Sequence, residues 1–403
     1  MTHENKLGLF IHWGIYAMTG LQEQALARFS LPREDYESLP ARFNPVRFDA
    51  DEWVLAAKDA GMKYICFTAK HHDGFCLFNT RLTCYNIMNT PFGRDVLLEL
   101  SDACRRHGML LSLYYSNPDW HHPAAYNPHS SHQWRAVNRD HSHFSKYLSF
   151  VRGQIRELLT QYGPIYTLFW DIPPGMHDPS MNEFVRSLQP GILINNRGFD
   201  EGDFSTPERE TGENASLRPY PRMTEACNSV DMQSWGYRNH ADFYSVRHLL
   251  SSIDQVMARG GSYLINIGPR PDGSLDPAQM ERVRRIGDWY RRMDGCLECH
   301  ESDPFDYQPV NAGPCIAVRK NGATYLHFYE GLIGTAVSLR HFPGKPASVR
   351  LMNTGLDLPF SVGVQPGYIN SETGRAEHEY LHISSIPVDD LPAEPVVIEI
   401  RWD

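Results

Sequence analysis

The chain has 403 residues, a formal charge of -10 at pH 7, and 41% hydrophobic and 12% aromatic residues. That length suits one large α/β domain with a smaller companion. The acidic balance excludes nucleic-acid and anionic-membrane partners, which need concentrated basic surface. No run reaches the ~20 apolar residues of a bilayer span, and the opening MTHENKLGLFIHWG lacks the basic-then-apolar pattern of a secretory signal. A cytoplasmic protein is therefore expected, secreted or periplasmic only if a signal has been removed. Eight cysteines are scattered without the spacing of a disulfide framework, and the Cys296–Cys299 pair lacks the second pair that a zinc site needs.

In chain order, Leu7–Trp13 reads as a strand, and Asp49–Gly61 as a helix that opens with acids and closes on glycine. Tyr64–Thr68 is the next strand, Arg94–His107 a helix, Leu110–Tyr115 a strand, Phe144–Tyr162 a helix and Tyr166–Trp170 a strand. Strands at Ile192–Asn195 and Tyr263–Ile267 and a helix at Pro277–Met293 follow. The strands are continuously apolar, as in a parallel sheet covered on both faces. Polar residues fall just past many strand ends: His12, His71, Tyr115, Asp171 and Arg197. In a (β/α)8-like barrel those ends share one mouth, so a barrel is expected over residues 1–300; an open doubly wound sheet is the weaker alternative. The segment His121–His132 reads as a long loop near that mouth. Beyond about Ser302, segments such as CIAVRK, TYLHFYE and VVIEIRW alternate polar and apolar residues. They predict an antiparallel β-sandwich over 301–403.

Asp171, closing the strand YTLFW, is the leading candidate for chemistry. Adjacent His71 and His72 in TAKHHDGF add ring nitrogens that suit a polyhydroxylated ligand. There is no HExxH and no HxH after the first strand, so no metal and no cofactor are expected.

Seven ordered blocks then carry a family resemblance. They include GLFIHWGIYA, AKHHDGFCLF, LLTQYGPIYTLFWD, NNR with DFSTPE, SWGYR and ARGGSYLINIGPRPDGSL. Together they resemble glycoside hydrolase family 29, the α-L-fucosidases, over residues 7–300. The resemblance implies a barrel with irregular helices plus a C-terminal sandwich. It also implies retaining exo-hydrolysis of terminal α-L-fucose, with fucosylated oligosaccharides or glycoconjugates as substrates. Asp171 corresponds to the nucleophile, and His12, His71, His72, Tyr114 and Arg197 to residues around the sugar; Trp13 stands as a sugar contact or as core. The acid/base has three candidates: Glu225 in MTEACNSV, preferred on the firm register of the downstream SWGYR; Glu208 in STPERE; and Glu23. Relatives usually have Glu-Trp where this chain has Glu23-Gln24, which removes a stacking ring that Trp120 or Trp235 could replace. The alternatives are a catalytically lapsed fucose-binding barrel and the same mechanism on a related sugar.

Overall fold

The computed structural model describes residues 6–209, 217–293, 295–297, 301–365 and 367–403. Position 300, where the predicted domain boundary falls, and Cys299 lie outside them. The chain divides into two compact units. The first comprises 1–209, 222–244 and 262–284; the second comprises 210–221, 245–261 and 285–403.

Seven parallel strands form the sheet of the first unit: β1 (Leu7–Ile11), β2 (Tyr64–Lys70), β3 (Leu110–Ser116), β4 (Thr167–Asp171), β5 (Leu193–Ile194), β6 (Glu225–Ser229) and β7 (Ser262–Ile267). Their spatial order is β5-β4-β3-β2-β1-β7-β6. The gap between β5 and β6 is spanned by a segment that is not a regular strand: Asn195 pairs with Phe204, Ser205 with Thr224 and Glu208 with Cys227, all parallel. The sheet curls into the expected barrel, with Phe204–Arg209 as its irregular closing piece.

Local chemistry explains the elements around it. Asp49 and Asp95 accept from the backbone N–H groups of Glu52 and Leu98, capping the helices Ala50–Asp59 and Val96–His107; each cap stabilises by about 1 kcal/mol. Gly108 ends the second helix in the left-handed conformation, at φ 66. Alternate residues of the strands point inward, where Phe10, Cys66, Tyr114, Phe169, Cys227 and Leu264 pack as one cluster. One step further toward the C-terminal ends, the same parity aims His12 and Asp171 into the mouth. Gly8 leaves room for the phenol of Tyr64 inside the barrel; a Cβ there would meet the ring at 2.5 Å.

In the second unit a six-stranded antiparallel sheet and a four-stranded one share a core that includes Leu326, Leu351 and Ile398 from the first and Leu339, Leu381 and Ile383 from the second. This is the predicted sandwich. The unit also holds the helix Val246–Ala258, which the sequence reading passed over. Among the described residues, no helix is long and apolar enough to cross a membrane.

Candidate active site

A cavity of about 340 Å³ opens at the C-terminal ends of the barrel strands. The carboxylate of Asp171, at the end of β4, lines it. Tyr114 on the neighbouring β3 donates to Asp171 Oδ2 at 2.7 Å, and Arg197 Nη1, just beyond β5, donates to Oδ1 at 3.1 Å. His72 Nε2 stands 3.7 Å from Oδ2, while its Nδ1 is fixed 2.7 Å from Ser116 Oγ. Burial pushes the Asp171 carboxyl up, but the Arg197 guanidinium and the Tyr114 hydrogen bond oppose it, and the group lies below its ordinary range. The carboxylate is therefore ionised across neutral pH.

Glu208 sits on the closing segment, its side chain 38% exposed, and accepts from the same Arg197 Nη1 at 2.8 Å. Two carboxylates thus converge on one guanidinium nitrogen. Burial lowers the Arg197 guanidinium, and Asp171, with Glu208 assisting, more than restores it, so its charge is secure.

The surrounding histidines are neutral. Burial pushes His72 down to about 3, His71 well below its usual value, and His12 below it despite the nearby Glu23. His12 Nδ1 is 2.7 Å from Asn266 Oδ1 on β7. His71 Nδ1 is buried without a hydrogen-bond partner, and its ring stacks on Tyr114 at 5.6 Å. A buried, unsatisfied ring nitrogen on a residue that lines the cavity suits a ligand hydroxyl. Glu23 also lines the cavity. One of its oxygens accepts from Ser234 Oγ, Trp235 N and Gly236 N at 2.9, 2.9 and 3.2 Å, which ties down the SWGYR turn.

Two sequence expectations, for Glu225 and Tyr115, are corrected, and one left open, for Trp13, is decided. Glu225 is not at the mouth. It opens β6, pairs with the first residue of β7 and is hydrogen-bonded by Tyr64 at the opposite end of the barrel. It is wholly buried there and lies outside the cavity lining. Trp13 is core: its ring packs against Phe43, Phe48 and Trp53, and its indole N–H goes to Arg270 O. Tyr115, one residue past Tyr114, points away from the barrel interior and donates to Gln154 on the helix Phe144–Gln161.

Other features lie within or between the quoted blocks without a signal of their own. Asn266 sits in the apolar strand SYLINI. Ile172, directly after Asp171, has φ 60, a left-handed conformation that costs a β-branched residue about 1–3 kcal/mol; its carbonyl accepts from Asn117 Nδ2 at 2.9 Å. Behind the histidines, buried Lys70 pairs with Asp119 at 3.1 Å, and Asp119 in turn accepts from the backbone of His121 and His122. That knot secures the β2 and β3 loops from below. Of the two candidate replacement rings, Trp235 lines the cavity and Trp120 does not. Gln24 lines it too and accepts from Arg28 Nε at 3.0 Å, at the cavity wall. Among the described residues, no group of three or more His, Cys, Asp or Glu is placed to hold a metal ion.

Comparison with known proteins bears on this geometry. A family model described as alpha-L-fucosidase matches residues 2–294. The plasma α-L-fucosidase of Homo sapiens is 28% identical over 320 residues, covering 71% of this chain and 66% of that protein. The chain thus spans just under two thirds of the length of that relative. Among solved structures, α-L-fucosidase isoenzyme 1 from Paenibacillus thiaminolyticus matches with a TM-score of 0.80 at 30% identity, over 100% of this chain and 97% of that one. An α-L-fucosidase from Bacteroides thetaiotaomicron, solved as a trapped covalent intermediate in complex with 2-fluoro-fucosyl fluoride, matches with a TM-score of 0.78 at 26% identity, over 99% of this chain and 94% of that one.

Proposed function

The chain belongs to the α-L-fucosidase family, and from that premise we propose that its cavity hydrolyses terminal α-L-fucose from oligosaccharides or glycoconjugates by double displacement. Asp171 is the nucleophile and Glu208 the acid/base. The observation that carries this reading is the single nitrogen, Arg197 Nη1, that serves both carboxylates at 3.1 and 2.8 Å. It caps the separation of the two bonded oxygens at about 6 Å. That ceiling is short of the ~6.5–9.5 Å that admits a water between inverting pairs.

In the first step an Asp171 oxygen attacks the anomeric carbon while Glu208 gives a proton to the departing glycosidic oxygen. The products are a fucosyl ester on Asp171 and a free alcohol. In the second, Glu208 takes a proton from water, whose oxygen displaces the ester and releases L-fucose with Asp171 regenerated. His12, His71, His72 and Glu23 hold the sugar hydroxyls. The neutral imidazoles suit this work, because each can donate from one nitrogen and accept at the other. The mechanism needs no cofactor. Cys66, Cys76, Cys84, Cys104, Cys227 and Cys315 are free thiols, which supports work in a reducing compartment.

Release of L-fucose from an aryl α-L-fucoside by the wild type, and its loss in Asp171→Ala, tests the reading. A wild-type protein that binds fucose yet turns over no fucoside sinks it and leaves the lapsed binder in its place.

A further inference from the structure

The cavity does not end at its buried residues. His132 forms part of its rim and also walls a second cleft of about 250 Å³, whose other sides include Tyr126, Trp134 and Arg139. The two spaces share that one imidazole.

His132 is held in an unfavourable shape to stand there. Its φ of 61 is left-handed, a conformation that costs a residue with a Cβ roughly 1–2 kcal/mol. Trp120 donates its indole N–H to the His132 carbonyl at 2.7 Å, and Ser131 Oγ lies 2.8 Å from Nδ1. With the backbone and one ring nitrogen fixed, the ring lies 5.4 Å from His72 on one side and 4.4 Å from Trp134 on the other.

Trp134 is 52% exposed. Trp120, fourteen residues earlier, shows what a structural indole looks like in this loop: it is buried and its N–H is taken. Trp134 instead presents a broad apolar face to solvent at the edge of a sugar-sized cavity. Such a face suits the C–H side of a pyranose ring, as the imidazole edge suits its hydroxyls. From Asp171, then, a run of rings leads outward through His72 and His132 to Trp134.

We propose that this rim is the leaving-group subsite, with His132 hydrogen-bonding the first sugar beyond the scissile bond and Trp134 stacking against the sugar after it. The proposal rests on the fucosidase reading and narrows its substrate class. The preferred substrate is fucose carried on an oligosaccharide of at least two further sugars, not on a small aglycone. Neutral hydroxyls and C–H faces suffice for recognition, and no charged group on the leaving sugar is required.

The test compares kcat/KM on an aryl α-L-fucoside and on a fucosylated tetrasaccharide for the wild type, Trp134→Ala and Trp134→Phe. Trp134→Ala should lower kcat/KM on the tetrasaccharide about tenfold, chiefly through KM, and leave the aryl fucoside within about twofold. Trp134→Phe, which keeps a ring, should recover most of the loss. Equal effects on both substrates, or none on either, would overturn the proposal. A wild type that hydrolyses neither substrate would instead fail the parent reading. In that event calorimetry still decides the rim: the tetrasaccharide must bind more tightly than L-fucose and lose that advantage in Trp134→Ala, and equal affinities would overturn it.

Discussion

Tyr114 gives its phenolic hydrogen to Asp171 across the β3–β4 pairing, at 2.7 Å. The bond favours the carboxylate over the acid, so its loss should be felt in protonation as well as rate. As the proposed nucleophile Asp171 acts in its ionised form, so activity should fall at low pH as it takes up a proton. Tyr114→Phe should therefore move the acid limb of kcat/KM to higher pH and lower the plateau about 10–100-fold, the range for a hydrogen bond to a charged group. A plateau loss with an unmoved limb would mean that the phenol serves packing instead.

The two carboxylates should separate by the stereochemistry of rescue. Asp171→Ala with azide should give β-L-fucosyl azide, because the anion enters where the nucleophile was removed. Glu208→Ala with azide should give the α-anomer, because the anion intercepts the covalent intermediate. Glu208→Ala should also spare activated aryl fucosides while losing poor leaving groups about 100-fold or more. NMR of the azide products checks both assignments, and an α-azide from a Glu23 variant but not from Glu208→Ala would reassign the acid/base.

Glu225 predicts a stability effect without a catalytic one. Burial pushes its carboxyl up to about 7, against a weaker downward pull from Tyr64. In the unfolded chain it titrates near ~4.3. Between those values the folded chain holds the proton more tightly, so stability is lost as pH rises through that window. Glu225→Gln has no proton to lose. Its Tm should decline less from pH 5 to 8 than that of the wild type, by up to about 3 kcal/mol of stability at the upper end. Turnover should stay within about twofold. A fall in kcat with an unchanged Tm profile would bring Glu225 back into the chemistry.

His71 should act through binding. Its buried Nδ1 has no partner among the described residues, so a sugar hydroxyl would satisfy it. His71→Phe keeps a ring stacked on Tyr114 and removes the nitrogens. KM should rise about 10–100-fold, equivalent to one buried hydrogen bond, with a smaller change in kcat. Near-wild-type KM would show that the sugar does not use this nitrogen.

Much of the barrel was readable because its strands are apolar on both faces. Leu7–Ile11, Tyr64–Lys70 and Thr167–Asp171 stand out as short runs, and Asp49 and Asp95 mark helix starts with their caps. Asp171 was legible for the same reason: an acid that ends a buried strand has few places to go. Glu225 misled because β6 reads EACNS, with no apolar run to show that the glutamate begins the strand. An acid at the start of a barrel strand and one at its end lie at opposite faces of the ring. Parity decided two further cases. His12 and Tyr114 point inward, while Trp13 is turned into the core and Tyr115 toward a helix, and a one-residue step is too fine for apolar patterning to assign. The left-handed His132 and Ile172 left no trace in the sequence, because neither residue type advertises that backbone shape.

The piece that closes the barrel gives the two carboxylates unequal footing. Asp171 is rooted in a strand paired on both sides, to β3 and β5. Glu208 rides on Phe204–Arg209, which is no regular strand and is held by single bridges and by backbone hydrogen bonds such as Arg209 N to Cys227 O at 3.0 Å. The proposed acid/base thus stands on a less regular support than the proposed nucleophile.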